Sequence, residues 1–209
     1  MPPRTVFTKE QIIETAFAIF KEEGIGSLSV RKLAASLNSS TAPVYTSFGN
    51  IDDIKSALLE KALNLLLSYT EKEYTQDTFL NIGVGMLEFA RDYKKIYRTL
   101  FIESNDYQYI FQEFNRKNLI QMKKQKNLFL FEEDELKTML DKLGTYTHGL
   151  ASFLCAGMLE NESQEYFIET LHEMGGDVIG MSAYNKGLLE EYFMEQKAGM
   201  CQDEKRNDS

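Results

Sequence analysis

The chain has 209 residues, 43% of them apolar and 26% charged, with 14 Phe, 11 Tyr and no Trp, enough for a sizeable globular core. Net charge is −9, yet residues 1–50 hold five basic and four acidic side chains, so the acidity lies beyond them and only this first segment suits a polyanionic partner. No apolar run approaches the roughly 18–20 residues of a membrane span, MPPRTVFTKEQ lacks the apolar centre of a signal peptide, and Cys155 and Cys201 are too few for a disulfide framework, so a reducing cytoplasm is the expected compartment.

Helical periodicity dominates and strand signals are scarce. Thr8, with Gln11 three residues later, forms a capping box. Ile12, Ile13, Ala16, Phe17 and Phe20 then make the apolar face of a first helix, which Gly24 and Gly26 end. Ser29 caps a second helix with Val30, Leu33, Ala34 and Leu37 turned inward. Asn38 and Ser39 break the chain, a short third helix covers about 40–47, and Asn50 or Asp52 opens a fourth that runs to about Tyr74. Further helices are predicted at about 77–91, 93–103, 106–126, 133–158 and 163–196, and residues 199–209 read as a frayed tail. The predicted class is all-α. Residues 1–50 form a three-helix head and residues 51–198 a larger helical body, with 51–74 as the continuous helix joining them.

Three short helices in so little chain, the second and third joined by a tight turn, form a helix-turn-helix pattern. The third helix lies in LNSSTAPVYTSFGN, residues 37–50. If Ser39 or Ser40 caps it, Pro43 falls in the first turn, where a missing N–H costs little. The small residues Ser40, Thr41 and Ala42 permit close approach to a DNA groove. Hydroxyls can bond phosphates or base edges, and the Thr41 methyl and Pro43 ring can touch a thymine methyl. Tyr45 can pack its ring while its hydroxyl reaches a phosphate, and Phe48 faces the core. A serine-rich turn capping an ordinary helix accounts for these 14 residues equally well.

The run from Thr8 through Ile12, Ala16, Phe20 and Gly24, then Ser29-Val30-Arg31-Lys32-Leu33-Ala34, Leu37, Ser40, Val44-Tyr45, Phe48 and Ile54, resembles the DNA-binding domain of tetracycline-repressor-type (TetR-family) regulators. The resemblance implies a homodimer, with the third helix of each subunit in the major groove of one half of an inverted-repeat operator on double-stranded DNA. It also implies a C-terminal domain that binds a small molecule and dimerises, ligand binding spreading the two heads. On this frame Arg4 and Thr5 form an arm near the backbone, Ser29, Arg31 and Lys32 hold phosphates, and Ser40, Thr41, Ala42 and Pro43 face the bases, with Ser39 also in the DNA-binding set. Tyr45 and Thr46 anchor the backbone. Asn38 stands where the family often has Gly, and Ser47 where many members carry His or Tyr. Ile51 replaces a Lys that often meets a phosphate at the start of the fourth helix, which leaves that contact to Lys55.

The body is rich in aromatic and methionine side chains, which suit a hydrophobic or aromatic ligand. The candidate ligand residues are Met86, Phe89, Tyr93, Tyr97, Phe101, Tyr109, Met122, Tyr146 and Phe153; the same side chains can equally be core. Thr147-His148-Gly149-Leu150-Ala151 resembles a stretch in the penultimate helix of many TetR-type bodies. Glycine inside a helix costs about 1 kcal/mol, and close packing against a symmetry mate compensates. The candidate dimer interface is His148, Gly149, Ser152, Ala156, Gly176, Gly180, Ala183 and Tyr184. Packing within one subunit is the alternative, and Gly175-Gly176 can also mark a helix break. His148 and His172 are the only histidines, without HxxxH or CxxC spacing, so neither metal nor cofactor is expected. No phosphate-cradling glycine loop or nucleophile–base set suggests an enzyme. The competing function is a helical dimeric small-molecule-binding or adaptor protein with weak or no DNA binding.

Overall fold

The computed structural model describes residues 7–103, 108–125, 128–191 and 194. Its described elements are helical: α1 Lys9–Glu23, α2 Val30–Ser36, α3 Ala42–Ser47, α4 Ile51–Thr70, α5 Thr78–Asp92, α6 Lys94–Phe101, α7 Gln108–Met122, α8 Glu133–Ala156 and α9 Gln164–Lys186, with one 3₁₀ turn at Ile25–Ser27. Among the described residues no helix is long and apolar enough to cross a membrane.

Local chemistry sets most helix starts. The Thr8 hydroxyl accepts from Gln11 N at 3.2 Å while Thr8 N donates to Gln11 Oε1 at 3.0 Å. Ser29 accepts from Lys32 N, and Asn50 and Asp53 make a second reciprocal box at the start of α4. Gly24, at φ 86°, ends α1, and Asn38 takes the left-handed turn after α2 at φ 49°. The cap expected from Ser39 or Ser40 is absent. Ser39 Oγ instead donates to Ser40 O at 3.0 Å, the turn consumes one more residue, and α3 begins at Ala42 with no side-chain cap. Pro43 sits in its first turn as expected.

Several predicted helices end early. The fourth stops at Thr70 rather than Tyr74 because buried Asn81 captures the following loop: its Oδ1 accepts from Thr75 N and its Nδ2 donates to Thr75 O, both at 2.8 Å. The last helix runs unbroken through Gly175-Gly176 and ends at Gly187, left-handed at φ 73°. Gly157, at φ 71°, closes α8 in the same way. The expected tail at 199–209, Cys201 and the Arg4–Thr5 arm lie outside the described residues.

One apolar core runs from the head into the body, from Ile12, Phe20, Leu33 and Val44 through Ile54, Leu58 and Leu66 to Leu87, Phe89, Tyr97 and Phe167. A smaller core joins Met122, Leu128, Phe131, Leu136, Met139, Ile179 and Ala183 at the far end of α8 and α9. The head's apolar residues are thus covered by α4 and the body, in keeping with its small size. Helices α4 and α5 come closest at Gly85, where an added Cβ would lie 2.3 Å from Tyr69 O and 2.7 Å from Thr70 Cα.

Candidate functional site

The head presents α3 outward. Val44 is buried and anchors the helix. Ser40, Ala42, Tyr45 and Thr46 are exposed, and Ser39, Thr41 and Pro43 are half-buried beside them. Tyr45, 57% exposed, does not pack its ring into the core. Thr46 Oγ1 donates to Ala42 O at 2.9 Å, so its hydroxyl is engaged by its own helix. Phe48 lies against the core with the Lys9 ammonium 5.5 Å from its ring centre. Ile51 packs against the same core.

The head's cations differ in their commitments. Arg31 is exposed and has no ion pair or hydrogen bond among the described residues. Lys32 pairs with Glu23, and Lys55 lies 3.3 Å from Asp52. Both pairs are partly exposed, and such pairs are weak enough to exchange for phosphate. Exposed Ser29 uses its hydroxyl as the α2 cap.

In the body, α5, α7, α8 and α9 enclose a cavity of about 350 Å³. Phe79, Leu80, Ile82, Gly83 and Met86 come from α5, and Phe114, Asn115 and Asn118 from α7. Helix α8 gives Leu140, Leu143, Gly144 and Thr147; α9 gives Leu171, His172, Gly175, Gly176, Ile179 and Gly180. Asp77, also in the wall, accepts from Phe79 N and Leu80 N and so caps α5. Thr147 Oγ1 donates to Leu143 O at 2.9 Å. Ile82 and Asn118 also border a second cavity of about 330 Å³ that reaches Leu67 and Thr70 at the end of α4.

Of the nine candidate ligand residues, Met86 lines the first cavity. Phe89 and Tyr93 instead build the joint between head and body, while Tyr97 and Phe101 pack against His148 of α8, and Phe101 also against Phe114 of α7. Phe89 stacks on Tyr93 at 5.3 Å, and Tyr69 meets both rings edge-on at 5.8 and 6.0 Å. Tyr69 donates to Asp92 Oδ2 at 2.7 Å, the Lys21 ammonium lies 4.9 Å from the Tyr93 ring, and Lys95 donates to Glu22 O, so α1 is fastened to the α5–α6 corner. Met122 is buried in the smaller core and Tyr146 packs against the larger, while Tyr109 and Phe153 are more than half exposed.

The candidate dimer residues divide as well. Gly176 and Gly180 line the cavity, and Ala183 is buried within its own subunit. Gly149 and Ser152 are half-buried, with Ser152 Oγ donating to His148 O; Ala156 and Tyr184 are exposed. Met181 and Tyr184 are exposed near the end of α9, and Phe153 is exposed near the end of α8.

His148 faces inward, its Nδ1 2.7 Å from the Tyr97 hydroxyl. Burial pushes the Tyr97 phenol well above its ordinary pKa and holds His148 below its own. Tyr97 therefore donates to a neutral imidazole. Burial likewise raises Cys155 to about 11, and its protonated thiol points at Lys94 O, 3.7 Å away. The unfolded chain protonates His148 near pH 6.5 (about its free value), whereas the native state resists protonation until its lowered pKa. Stability from this residue is thus lost as pH falls through that window. The melting temperature is expected to fall more between about pH 7.5 and pH 5.5 in the wild type than in His148→Gln. Equal falls in thermal scans would mean that His148 is not held neutral.

Sequence periodicity overlooked Asn115, Asn118 and the glycines Gly144 and Gly175 as cavity residues. A signal was present: Asn118 stands in phase with buried Phe114 and Met122, an amide on an apolar helix face.

Residues 12–58 match the family model described as bacterial regulatory proteins, tetR family. No curated protein sequence matches significantly. Among solved structures, the fold is similar to the TetR-family regulator PfmR from Thermus thermophilus, with 16% identity, 81% of this chain and 96% of that one covered, and a TM-score of 0.55. A TetR-like regulator from Rhodococcus sp. RHA1 gives 13% identity, 80% and 92% coverage and a TM-score of 0.58. SmeT, the repressor of the Stenotrophomonas maltophilia multidrug efflux pump SmeDEF, gives 17% identity, 86% and 90% coverage and 0.52. The match falls on the helices that carry the outward-facing α3, so residues 12–58 are similar to the DNA-binding segment of tetR-family regulatory proteins, and the fold of the chain is similar to that of TetR-family regulators.

Proposed function

We propose that the protein is a homodimeric repressor that leaves an inverted-repeat operator when a small, largely apolar molecule enters the α5–α7–α8–α9 cavity. The observation that carries this reading is that Ile82 and Asn118 border both that cavity and the one beneath the end of α4, the helix that leads from the head. A ligand that displaces this partition shifts α4 against α5, and with it the spacing of two reading heads. Residues 1–50 act as the reading head and 51–198 as the regulatory body. Exposed Phe153 on α8 and Met181 and Tyr184 on α9 supply separate apolar points of the dimer contact along the two helices.

Within the head, Ser40, Thr41, Ala42 and Pro43 read bases, with Ser39 at their edge, while Ser29, Arg31, Lys32, Tyr45, Thr46 and Lys55 hold the backbone. Selection of bound duplexes from random DNA tests this division. Thr41→Val and Pro43→Ala are expected to change the preferred half-site while leaving affinity for unrelated DNA within about twofold. Variants that select the parent's sites would show that α3 does not read bases through these residues.

A further inference from the structure

One amide on the partition between the two cavities has no hydrogen-bond partner among the described residues, and its polar atoms reach open space. Asn118 is 5% exposed, lines the cavity, and its amide makes no hydrogen bond among the described residues. An amide offers two donors and an acceptor, which water or a ligand entering that space can satisfy. Asn115, one turn earlier on α7, lines the same space. The facing walls are partly bare backbone. At Gly144 on α8 and at Gly175, Gly176 and Gly180 on α9 an added Cβ would meet nothing within 4 Å. Glycines at this spacing let a flat body lie close along both helices. Among the described residues no Lys or Arg lines the cavity, and the Asp77 carboxylate sits at the positive N-terminal end of α5, its Oδ1 accepting from two backbone N–H groups and from Gln125.

We infer that the ligand is an uncharged molecule with a flat ring body and an amide-like edge, the edge pairing with Asn118 and the faces lying against the glycine walls of α8 and α9. The inference rests on the cavity being the ligand site proposed above. An anion would lose its hydration with no cationic side chain in the described wall to replace it, and a cation would meet only a carboxylate whose charge is already offset by the α5 N-terminus. A lactam or carboxamide returns both the donor and the acceptor that Asn118 presents. A volume of about 350 Å³ lies at the small end of the roughly 300–1,000 Å³ typical of ligand pockets, which fits a compact fused-ring body.

The test is a calorimetric titration of the full-length protein with four matched probes: phenanthridinone (a flat neutral lactam), phenanthrene, phenanthrenecarboxylate and N-methylphenanthridinium. Phenanthridinone is expected to bind at least about tenfold more tightly than phenanthrene, and both ions more weakly than the lactam. Asn118→Leu, which removes an unpartnered amide at similar volume, is expected to keep phenanthrene binding and erase the lactam preference. Gly144→Leu, which fills the cavity, is expected to abolish binding of both while the helical signal and melting temperature persist. A lactam preference that survives Asn118→Leu, or an ion that binds tightest, overturns the ligand class; if Gly144→Leu still blocks that binding, the cavity stands as the ligand site. No binding by any of the four overturns the ligand class and the site together.

Discussion

Replacing Gly85 by Ala is expected to destabilise the protein by about 2–3 kcal/mol, the range of an overpacked core. Its Cβ would meet Tyr69 O at 2.3 Å and Thr70 Cα at 2.7 Å, and the obstacle is backbone, which no rotamer change relieves. Alanine is otherwise the better helix former by about 1 kcal/mol, so the sign of the effect depends wholly on this contact. Gly144→Ala provides the opposite case: its Cβ meets nothing within 4 Å, and stability is expected to rise by up to about 1 kcal/mol. Thermal unfolding followed by circular dichroism reads both, with a fall of about 5–10 °C for Gly85→Ala. An unchanged melting temperature would mean that α4 and α5 do not approach as closely as described. Because α4 leads directly from the head, the same variant is expected to weaken DNA binding.

Tyr45→Ala is expected to lower operator affinity roughly tenfold, as loss of a ring and a hydroxyl from a protein–DNA contact does. The residue is 57% exposed and makes no core contact, so the dimer and its melting temperature should stay unchanged. Arg31→Ala is expected to weaken binding to all sequences alike and to reduce the salt slope by about one. Its guanidinium has no competing partner among the described residues, whereas a phosphate must draw Lys32 from Glu23. Fluorescence anisotropy across a salt series separates the two effects. A Tyr45→Ala variant with full affinity, or one that fails to dimerise, would remove Tyr45 from the interface.

The head was legible because its determinants are local. Thr8 with Gln11, Ser29, Gly24 and Asn50 each act within a few residues of their own position, so caps and breaks can be read directly. The turn before α3 was misread by a residue because Ser39 could satisfy either the helix start or its neighbour's carbonyl, and sequence does not decide between them. Similarly, the early end of α4 depends on Asn81, beyond the loop that it holds.

The body was less legible because its helices' faces are assigned by tertiary packing. Phe89, Tyr93, Tyr97 and Phe101 have the composition of a ligand wall, yet Tyr69 of α4 and Lys21 of α1 claim Phe89 and Tyr93 for the head–body joint, and His148 takes Tyr97 and Phe101 into the body core. Gly176 and Gly180 have the spacing of a close helix contact and instead border open space. Gly85, by contrast, lies in a true close approach and carries no distinguishing sequence mark. The family resemblance covers about residues 8–55 and the family model matches residues 12–58, but a cavity is made where side chains stop short, which no single helix pattern records.

The most direct test of the central claim is a footprint on a duplex chosen by selection from random DNA, made at low salt. The account predicts protection of two inverted half-sites about one helical turn apart, lost when phenanthridinone fills the cavity. No protection at low salt would contradict it and favour a ligand-binding helical protein that does not read DNA.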